Sequence, residues 1–376
     1  MKSKTGFNVV KNIKDFCWKR VKEGACMEYR VDIVKMRELV EAIFKGSGLR
    51  KEDAWRVTDN LLFADMRGIH SHGLSKVATY VRWIKEGKIK ISPEIKIINE
   101  NACCTTFDAD YAAGSVAGVY AMDYTIKKAK NQGLAMAVVK NGTHFGAAAY
   151  YALRAVKENM IGIALTNSVK LMAPFGGYDR ELGTNPICVA VPGRKAVVYD
   201  GATSIAAYNK IMLANIEKKA IPENWALDNK GHCTTNPEEV VVHGGAVCPF
   251  GTYKGYGLAT MVQILTGILS GGSLIVCDGE LQENSDATAY NFMAIDISKF
   301  TDLEIFKKTV DIFGDRLKNS SKRDGVDEIY LPGEIEDLKY KESEEKGIEL
   351  HANVISSIKD IAKSLGVSIP ADLYKE

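Results

Sequence analysis

Apolar residues recur at helical spacing through Val31, Ile33, Met36, Val40 and Ile43, which predicts a helix there. Residues 52–66 read as a second helix, with Gly68 as its stop signal. After the segment Arg67-Gly68-Ile69-His70-Ser71-His72-Gly73, a third helical stretch carries Tyr80 and Trp83. The middle of the chain then alternates. Residues 114–130 read as a helix capped by Gly133, 134–139 as a buried strand, 141–146 as a turn, 147–158 as a helix and 161–165 as another buried strand. Residues 187–191 and 196–199 extend the sheet, a Gly-rich stretch leads into a helix over 255–269, and 292–297 supplies a later strand. This alternation predicts an α/β lobe. The charge-rich tail, 301–376, holds two amphipathic helices near 305–317 and 354–365, with the 339–346 charge run as a solvated face.

Composition narrows the class. The chain has 376 residues, 46% apolar and 26% charged, which suits an ordinary soluble protein with more than one sizeable core. A net charge of +2 gives no bulk field that points to nucleic acid or a membrane surface. No apolar run reaches the roughly 20 residues that span a bilayer, and the basic N-terminal segment lacks the apolar centre of a signal peptide, so a cytoplasmic protein is expected. The eight cysteines form no C-x-x-C pair and read as reduced thiols.

Chemistry enters through the turns. A G-x-G-x-x-G fingerprint is absent, and Lys254-Gly255-Tyr256-Gly257 supplies only two of its glycines. Two of the six histidines sit in Gly-flanked polar turns, His72 and His144. An imidazole titrating near neutrality suits removal of a hydroxyl proton while a hydride leaves carbon. Taken alone, such a histidine is more often a hydrogen-bonded loop residue. Arg67 and Lys76 flank His72, and either is a candidate cation for a substrate carboxylate. The segment 251–257 precedes an apolar helix; its glycines, Lys254 and the helix N-terminus suit a phosphate, and equally a flexible helix start. Residues 174–186, rich in Gly and Pro, form a structured loop.

Together these segments resemble the type 2 malate/L-lactate dehydrogenases, a family that takes in ureidoglycolate, sulfolactate and diketogulonate enzymes. The resemblance rests on A-D-M-R-G-I-H-S-H-G at 64–73, N-G-T-H-F-G-A-A-A-Y-Y at 141–151, L-G-T-N-P at 182–186, D-G-A-T-S at 200–204, P-F-G-T-Y-K-G-Y-G-L at 249–258 and L-P-G-E at 331–334. It implies an α/β fold: a non-Rossmann nicotinamide-binding lobe with a mixed sheet, plus a mostly helical lobe from the N- and C-terminal segments. The expected division is an extension over 1–27, a helical substrate lobe from 28–100 and 298–376, and a cofactor lobe over 101–297. It also implies a homodimer, NAD or NADP as cofactor, and a small 2-oxo/2-hydroxy carboxylic acid as substrate. His72 matches a proton donor in some members and His144 a proton acceptor in others. Ser71 and Tyr80 match substrate-pocket positions. Ser168, Asp200, Gly201, Ala202, Tyr253, Lys254, Gly333 and Glu334 match cofactor contacts.

The chain also departs from the family pattern. Lys76 stands where an arginine is usual for gripping the substrate carboxylate, Asn209-Lys210 where a Gly–Lys pair is usual, and Thr252-Tyr253 where Gly-Pro or Gly-Trp is usual. Residues 1–27 have no counterpart, and Met27 is an expected start. The A-D-x-R-G-I-H-S-H-G run leans toward ureidoglycolate enzymes, while 283–286 leans toward diketogulonate reductase. Two other classes are carried forward: a metal hydrolase using Asp65, His70, His72 and His144, since H-x-H is a metal-ligand spacing, and a nucleotide-binding homologue that has lost turnover.

Overall fold

Asp32 opens the first helix, α1 (Ile33–Gly46), by accepting the Lys35 amide on its side chain. The computed structural model describes residues 28–277, 279–284 and 287–374. The expected extension and the expected start at Met27 lie outside the described residues, as do two positions of the 283–286 stretch. Val31, whose spacing predicts a helical position, instead ends a short strand, β1 (Glu28–Val31), and pairs with Ile348 near the other end of the chain. Next come α2 (Lys51–Met66) and α3 (Val77–Lys85), joined by two tight turns, His70–His72 and Leu74–Lys76.

The sheet follows. Its strands are β2 (Lys96–Glu100), β3 (Cys104–Asp108), β4 (Leu134–Gly142), β5 (Met160–Thr166), β6 (Ile187–Val191) and β7 (Val197–Gly201). Helix α4 (Gly114–Gln132) links β3 to β4, and α5 (Ala149–Lys157) links β4 to β5. After β7 come α6 (Tyr208–Ile216), β8 (Ala226–Leu227), α7 (Pro237–Val241), β9 (Ala246–Val247) and α8 (Tyr253–Gln263). Helix α8 continues as a π-turn over Ile264–Ile268, so the single helix expected for 255–269 changes winding part-way. The hairpin β10 (Leu274–Cys277) and β11 (Glu280–Glu283) precedes β12 (Thr288–Asp296). The last elements are α9 (Leu303–Lys318), α10 (Glu334–Lys346), β13 (Ile348–His351) and α11 (Ala352–Ser364).

Seven strands form one mixed sheet in the order β2-β3-β4-β12-β5-β6-β7. Only β3 and β4 pair in parallel; the other pairings are antiparallel. Strand β12 lies between β4 and β5 and runs opposite to both. This is not the parallel sheet that carries a glycine fingerprint at a strand–helix junction, which accounts for the missing motif.

Two apolar cores hold the chain. One lies between the sheet and α4 and α5, filled by Phe107, Phe145, Tyr151, Tyr290 and Phe292; burying each such side chain is worth about 1.5–3 kcal/mol. The other is built from both chain ends: Met36, Val40 and Phe44 of α1 pack with Leu61, Val77, Leu350 and Ile358. This second assembly is mostly helical, as expected. A third, small cluster gathers Ile211, Ile221, Ala226, Val240 and Val247 between β7 and α8. Among the described residues, no helix is long and apolar enough to cross a membrane.

Candidate active site

The turn after α2 and the turn after β4 bring His72 and His144 face to face. Their rings stack with centroids 5.5 Å apart and an interplanar angle of 21°. Each turn is held from beneath. Tyr290 donates to the carbonyl of Thr143, Tyr151 donates to the carbonyl of Phe145, and Thr143 Oγ1 donates to the carbonyl of Ala112 at 3.0 Å, so His144 hangs between fixed carbonyls. Gly146 closes this turn at φ +81°, and a Cβ there would stand 2.1 Å from Asn60 Oδ1, so both conformation and space require glycine.

Both rings are engaged at Nδ1, which leaves Nε2 for a ligand. Tyr80 Oη and His144 Nδ1 are 2.5 Å apart, and Ser71 Oγ and His72 Nδ1 are 2.8 Å apart. Burial pushes the Tyr80 hydroxyl up, so it stays protonated. Burial, and then the charge of Lys76, push His72 down to about 4. Burial, and then His72 and Lys76, hold His144 well below its ordinary value. Both imidazoles are therefore neutral at pH 7.

Lys76 is half-buried and has no ion-pair partner among the described residues; burial lowers its pKa. Arg67, the other candidate cation, is spent elsewhere. Its side chain is 4% exposed, pairs with Asp337 at 2.5 Å and lies over the Phe63 ring. The expectation that either could receive a substrate carboxylate reduces to Lys76. His70 does not join the pair either; its Nδ1 is 2.8 Å from Asp65 Oδ1. Among the described residues, no group of three or more His, Cys, Asp or Glu side chains could hold a metal ion. The metal-hydrolase reading lacks its ligand set.

The residues matched to cofactor contacts form a neighbouring band. Ser168 follows β5, and its Oγ accepts the Thr184 amide at 2.9 Å. The Thr203 amide donates to the Thr184 carbonyl at 2.8 Å, and the Phe250 amide to the Thr203 carbonyl at 3.1 Å. These bonds set Ser168, the end of β7 with Asp200, Gly201 and Ala202, and the start of α8 with Tyr253 and Lys254 side by side. Asp200 lies on the exposed side of β7 and turns its carboxylate in to accept the Ala149 amide at 2.9 Å; desolvation around that carboxyl pushes it up to about 6. Tyr253 and Lys254 are exposed, and Lys254 has no ion-pair partner among the described residues. Gly333, at φ +85°, and Glu334 flank the other edge of β7, where the Val198 amide donates to the Pro332 carbonyl at 2.9 Å. The Glu334 carboxylate is engaged by Lys318 at 2.5 Å and by the Leu331 amide at 3.0 Å.

Two residues with no role assigned from sequence tie these parts together. Asn209 of α6 donates from Nδ2 to the Ser71 carbonyl at 3.3 Å, linking the band to the histidine turn. Asn185, fully buried at φ +27°, accepts the Ser168 amide at 3.1 Å and donates to the Ala259 carbonyl at 3.0 Å. The L-G-T-N-P run held the signal for Asn185, since asparagine tolerates positive φ in a tight turn. The band suits a dinucleotide on its chemistry: a free ammonium at a helix N-terminus for phosphate, and small residues at 201 and 202 for close approach.

Comparison with known proteins gives a consistent picture. The family model described as malate/L-lactate dehydrogenase matches residues 31–359. A malate dehydrogenase of Pyrococcus horikoshii is 38% identical over 346 residues, 90% of this chain and 96% of that protein. The solved structure of malate dehydrogenase from that organism superposes with a TM-score of 0.83 at 36% identity, covering 93% of this chain and 99% of that one. An L-sulfolactate dehydrogenase of Methanocaldococcus jannaschii is 38% identical over 89% of this chain and 96% of its own length. A ureidoglycolate dehydrogenase (NAD(+)) of Escherichia coli is 32% identical over 84% of this chain and 90% of its own length.

Proposed function

The chain belongs to the malate/L-lactate dehydrogenase family and is a 2-hydroxyacid dehydrogenase; we propose that its substrate is a small 2-oxo/2-hydroxy acid bound at the His72–His144 pair, with NAD or NADP as cofactor. The observation that carries this reading is two neutral, stacked imidazoles beside a cation that has no anion of its own among the described residues. Lys76 holds the substrate carboxylate as a point charge. That pairing also offsets the Lys76 charge, which adds to burial in keeping protons off both rings, so substrate binding raises their proton affinity. In oxidation, Nε2 of His72 or His144 takes the hydroxyl proton; in reduction it returns that proton to the carbonyl oxygen. The second ring steadies the same oxygen. Ser71 and Tyr80 fix the rings through Nδ1.

The nicotinamide ring, when bound, accepts or supplies the hydride at the substrate carbon. Lys254, Tyr253 and the first turn of α8 would hold the phosphates, with Ser168, Asp200, Gly201 and Ala202 along the same band and Gly333 and Glu334 beyond β7. The name of the ureidoglycolate relative supports NAD. The names of the malate and sulfolactate relatives support a substrate with a second anionic group.

A homodimer belongs to the same reading. Helix α8 and its π-turn expose Leu258, Met261, Ile264, Ile268 and Leu269, and the β10–β11 hairpin exposes Ile275, Val276 and Leu281. Contiguous apolar surface of this kind marks an interface, and a second copy of the chain is the occupant that point-group symmetry favours.

The test is NADH and NADPH oxidation with oxaloacetate, sulfopyruvate, pyruvate and diketogulonate, and the reverse reaction with ureidoglycolate. Turnover of at least one acid is expected, and none of its amide. Silence with every acid, in protein shown to be folded, overturns the reading.

A further inference from the structure

Asp65 stands near the end of α2 with its side chain buried beneath the 70–74 turn. One carboxylate oxygen is 2.8 Å from His70 Nδ1 and the other accepts the Leu74 amide at 2.6 Å. These two contacts bracket Ser71 and His72 from either side. Gly73 rests directly on the carboxylate: a Cβ at that position would stand 2.2 Å from the carboxyl carbon of Asp65. Two further bonds close the turn, from Ser75 Oγ to the His70 carbonyl at 2.8 Å and from Asn209 Nδ2 to the Ser71 carbonyl at 3.3 Å. A buried carboxylate needs donors to be tolerated at all. The turn that carries His72 is shaped around meeting that need.

We propose that Asp65 and His70 are positioning residues: the Asp65 carboxylate, held by a donor at His70 Nδ1 and by the Leu74 amide, fixes Ser71 and His72 in the pose the reaction requires. The proposal rests on the reading of His72 given above. The charged groups facing His70 are Asp65 on α2, Glu28 on β1 and Glu349 on β13. All three favour its protonated form and burial opposes it, with the Asp65 hydrogen bond the largest influence and the net effect upward. His351 in turn faces Glu28. His72 is pushed down to about 4 whereas His70 is raised, so the two rings shift in opposite directions.

The test uses the chemistry of that one contact. Asp65→Asn keeps the shape and an acceptor for the Leu74 amide, and turns an amide N–H toward His70 Nδ1. Neutral His70 accommodates it by carrying its proton on Nε2, whereas protonated His70 places donor against donor. The kcat of Asp65→Asn should stay within about threefold of wild type near pH 8.5 and fall at least tenfold below about pH 6, the size expected when a reacting group is misplaced. Read as the ratio of variant to wild type at each pH, this fall stands apart from any acid limb that His72 itself gives both enzymes. NADH binding, followed by fluorescence, should match wild type throughout. A second pair covers misfolding of that variant. His70→Asn, which can offer an N–H near the Nδ1 position, should keep wild-type kcat, and His70→Ala should lose about tenfold. An Asp65→Asn pH profile identical to wild type, or equal kcat in His70→Asn and His70→Ala, overturns the proposal. His72→Ala separates the two readings: full activity there sinks the role of His72 itself, whereas an inactive His72→Ala beside an unaffected Asp65→Asn sinks only the positioning role.

Discussion

Replacing Lys76 with methionine removes the ammonium and keeps an unbranched stem of similar length. The wild-type side chain is half-buried beside both imidazoles and has no ion-pair partner among the described residues. If it holds the substrate carboxylate, the variant loses one charge-assisted hydrogen bond, worth about 1.5–3 kcal/mol. At 1.4 kcal/mol per tenfold, that is about a 10–150-fold fall in kcat/KM. The contact is made in ground state and transition state alike, so the loss should fall mainly on KM. A second effect has a definite sign. Lys76 is the cause, after burial, that holds His72 down near 4. Removing it lets that pKa climb part of the way back toward its ordinary value of about 6.5. In oxidation the base must be neutral, and activity is lost as pH falls through its pKa, so the acid limb of kcat/KM, which reports the free enzyme, moves to higher pH. The assay is NAD(P)H absorbance over a pH series, with the acid substrate and its amide compared. Lys76→Arg should keep KM at or below wild type through bidentate contact. An unchanged KM together with an unmoved acid limb in Lys76→Met would refute the assignment of Lys76 as carboxylate holder.

His72→Ala and His144→Ala should each lower kcat by about 10²–10⁴-fold with the fold intact by circular dichroism; wild-type turnover in either removes that ring from the mechanism. Lys254→Ala should weaken NADH or NADPH binding by about tenfold in fluorescence titration, the scale of one charge-assisted contact, with kcat little changed. Ile264→Asp places a charge in the exposed stripe of α8 and its π-turn and should convert a dimer to monomer in sedimentation; a monomeric wild type refutes the assembly. Asp200, raised to about 6 by desolvation around its carboxyl, binds a proton more tightly folded than unfolded. Folding stability should therefore decline as pH rises from about 4 to 6, with solvent screening at this exposed position keeping the effect small. Asp200→Asn should flatten that part of the slope in urea unfolding, and a slope identical to wild type would refute the raised pKa.

Much of the architecture was legible because burial imposes a period. The strands near 134–139 and 161–165 and the helix begun at Ile33 appear where apolar spacing puts them. Elements without a buried face gave no such signal. Every residue of β2 is exposed, and α10 buries only Ser343, so the charge run at 339–346 read as surface without showing that it is helical. The order of the sheet was beyond reach because β12 pairs with strands far away in sequence, which no local pattern encodes. At the site, turn composition pointed to His72 and His144, but their stacking follows from tertiary packing alone. Arg67 looked as available as Lys76 in the sequence, since its partner Asp337 lies at the opposite end of the chain.

The place of β12 between β4 and β5 sets an order of events during synthesis. Strands β4 and β5 leave the ribosome early with a gap between them, and the strand that fills it follows only after α8 and the β10–β11 hairpin. Until then Phe145 and Tyr151 lack Tyr290 and Phe292 as packing partners, and the carbonyl of Thr143 lacks its donor. The sheet must therefore close late, through contacts of high sequence separation, which is the slow kind of folding. Any shortened chain that ends before residue 288 keeps both histidines of the pair yet leaves the turn around His144 without its support. The histidine pair gains its full support only once β12 has been made, so shorter products of translation should be targets for chaperones and proteases.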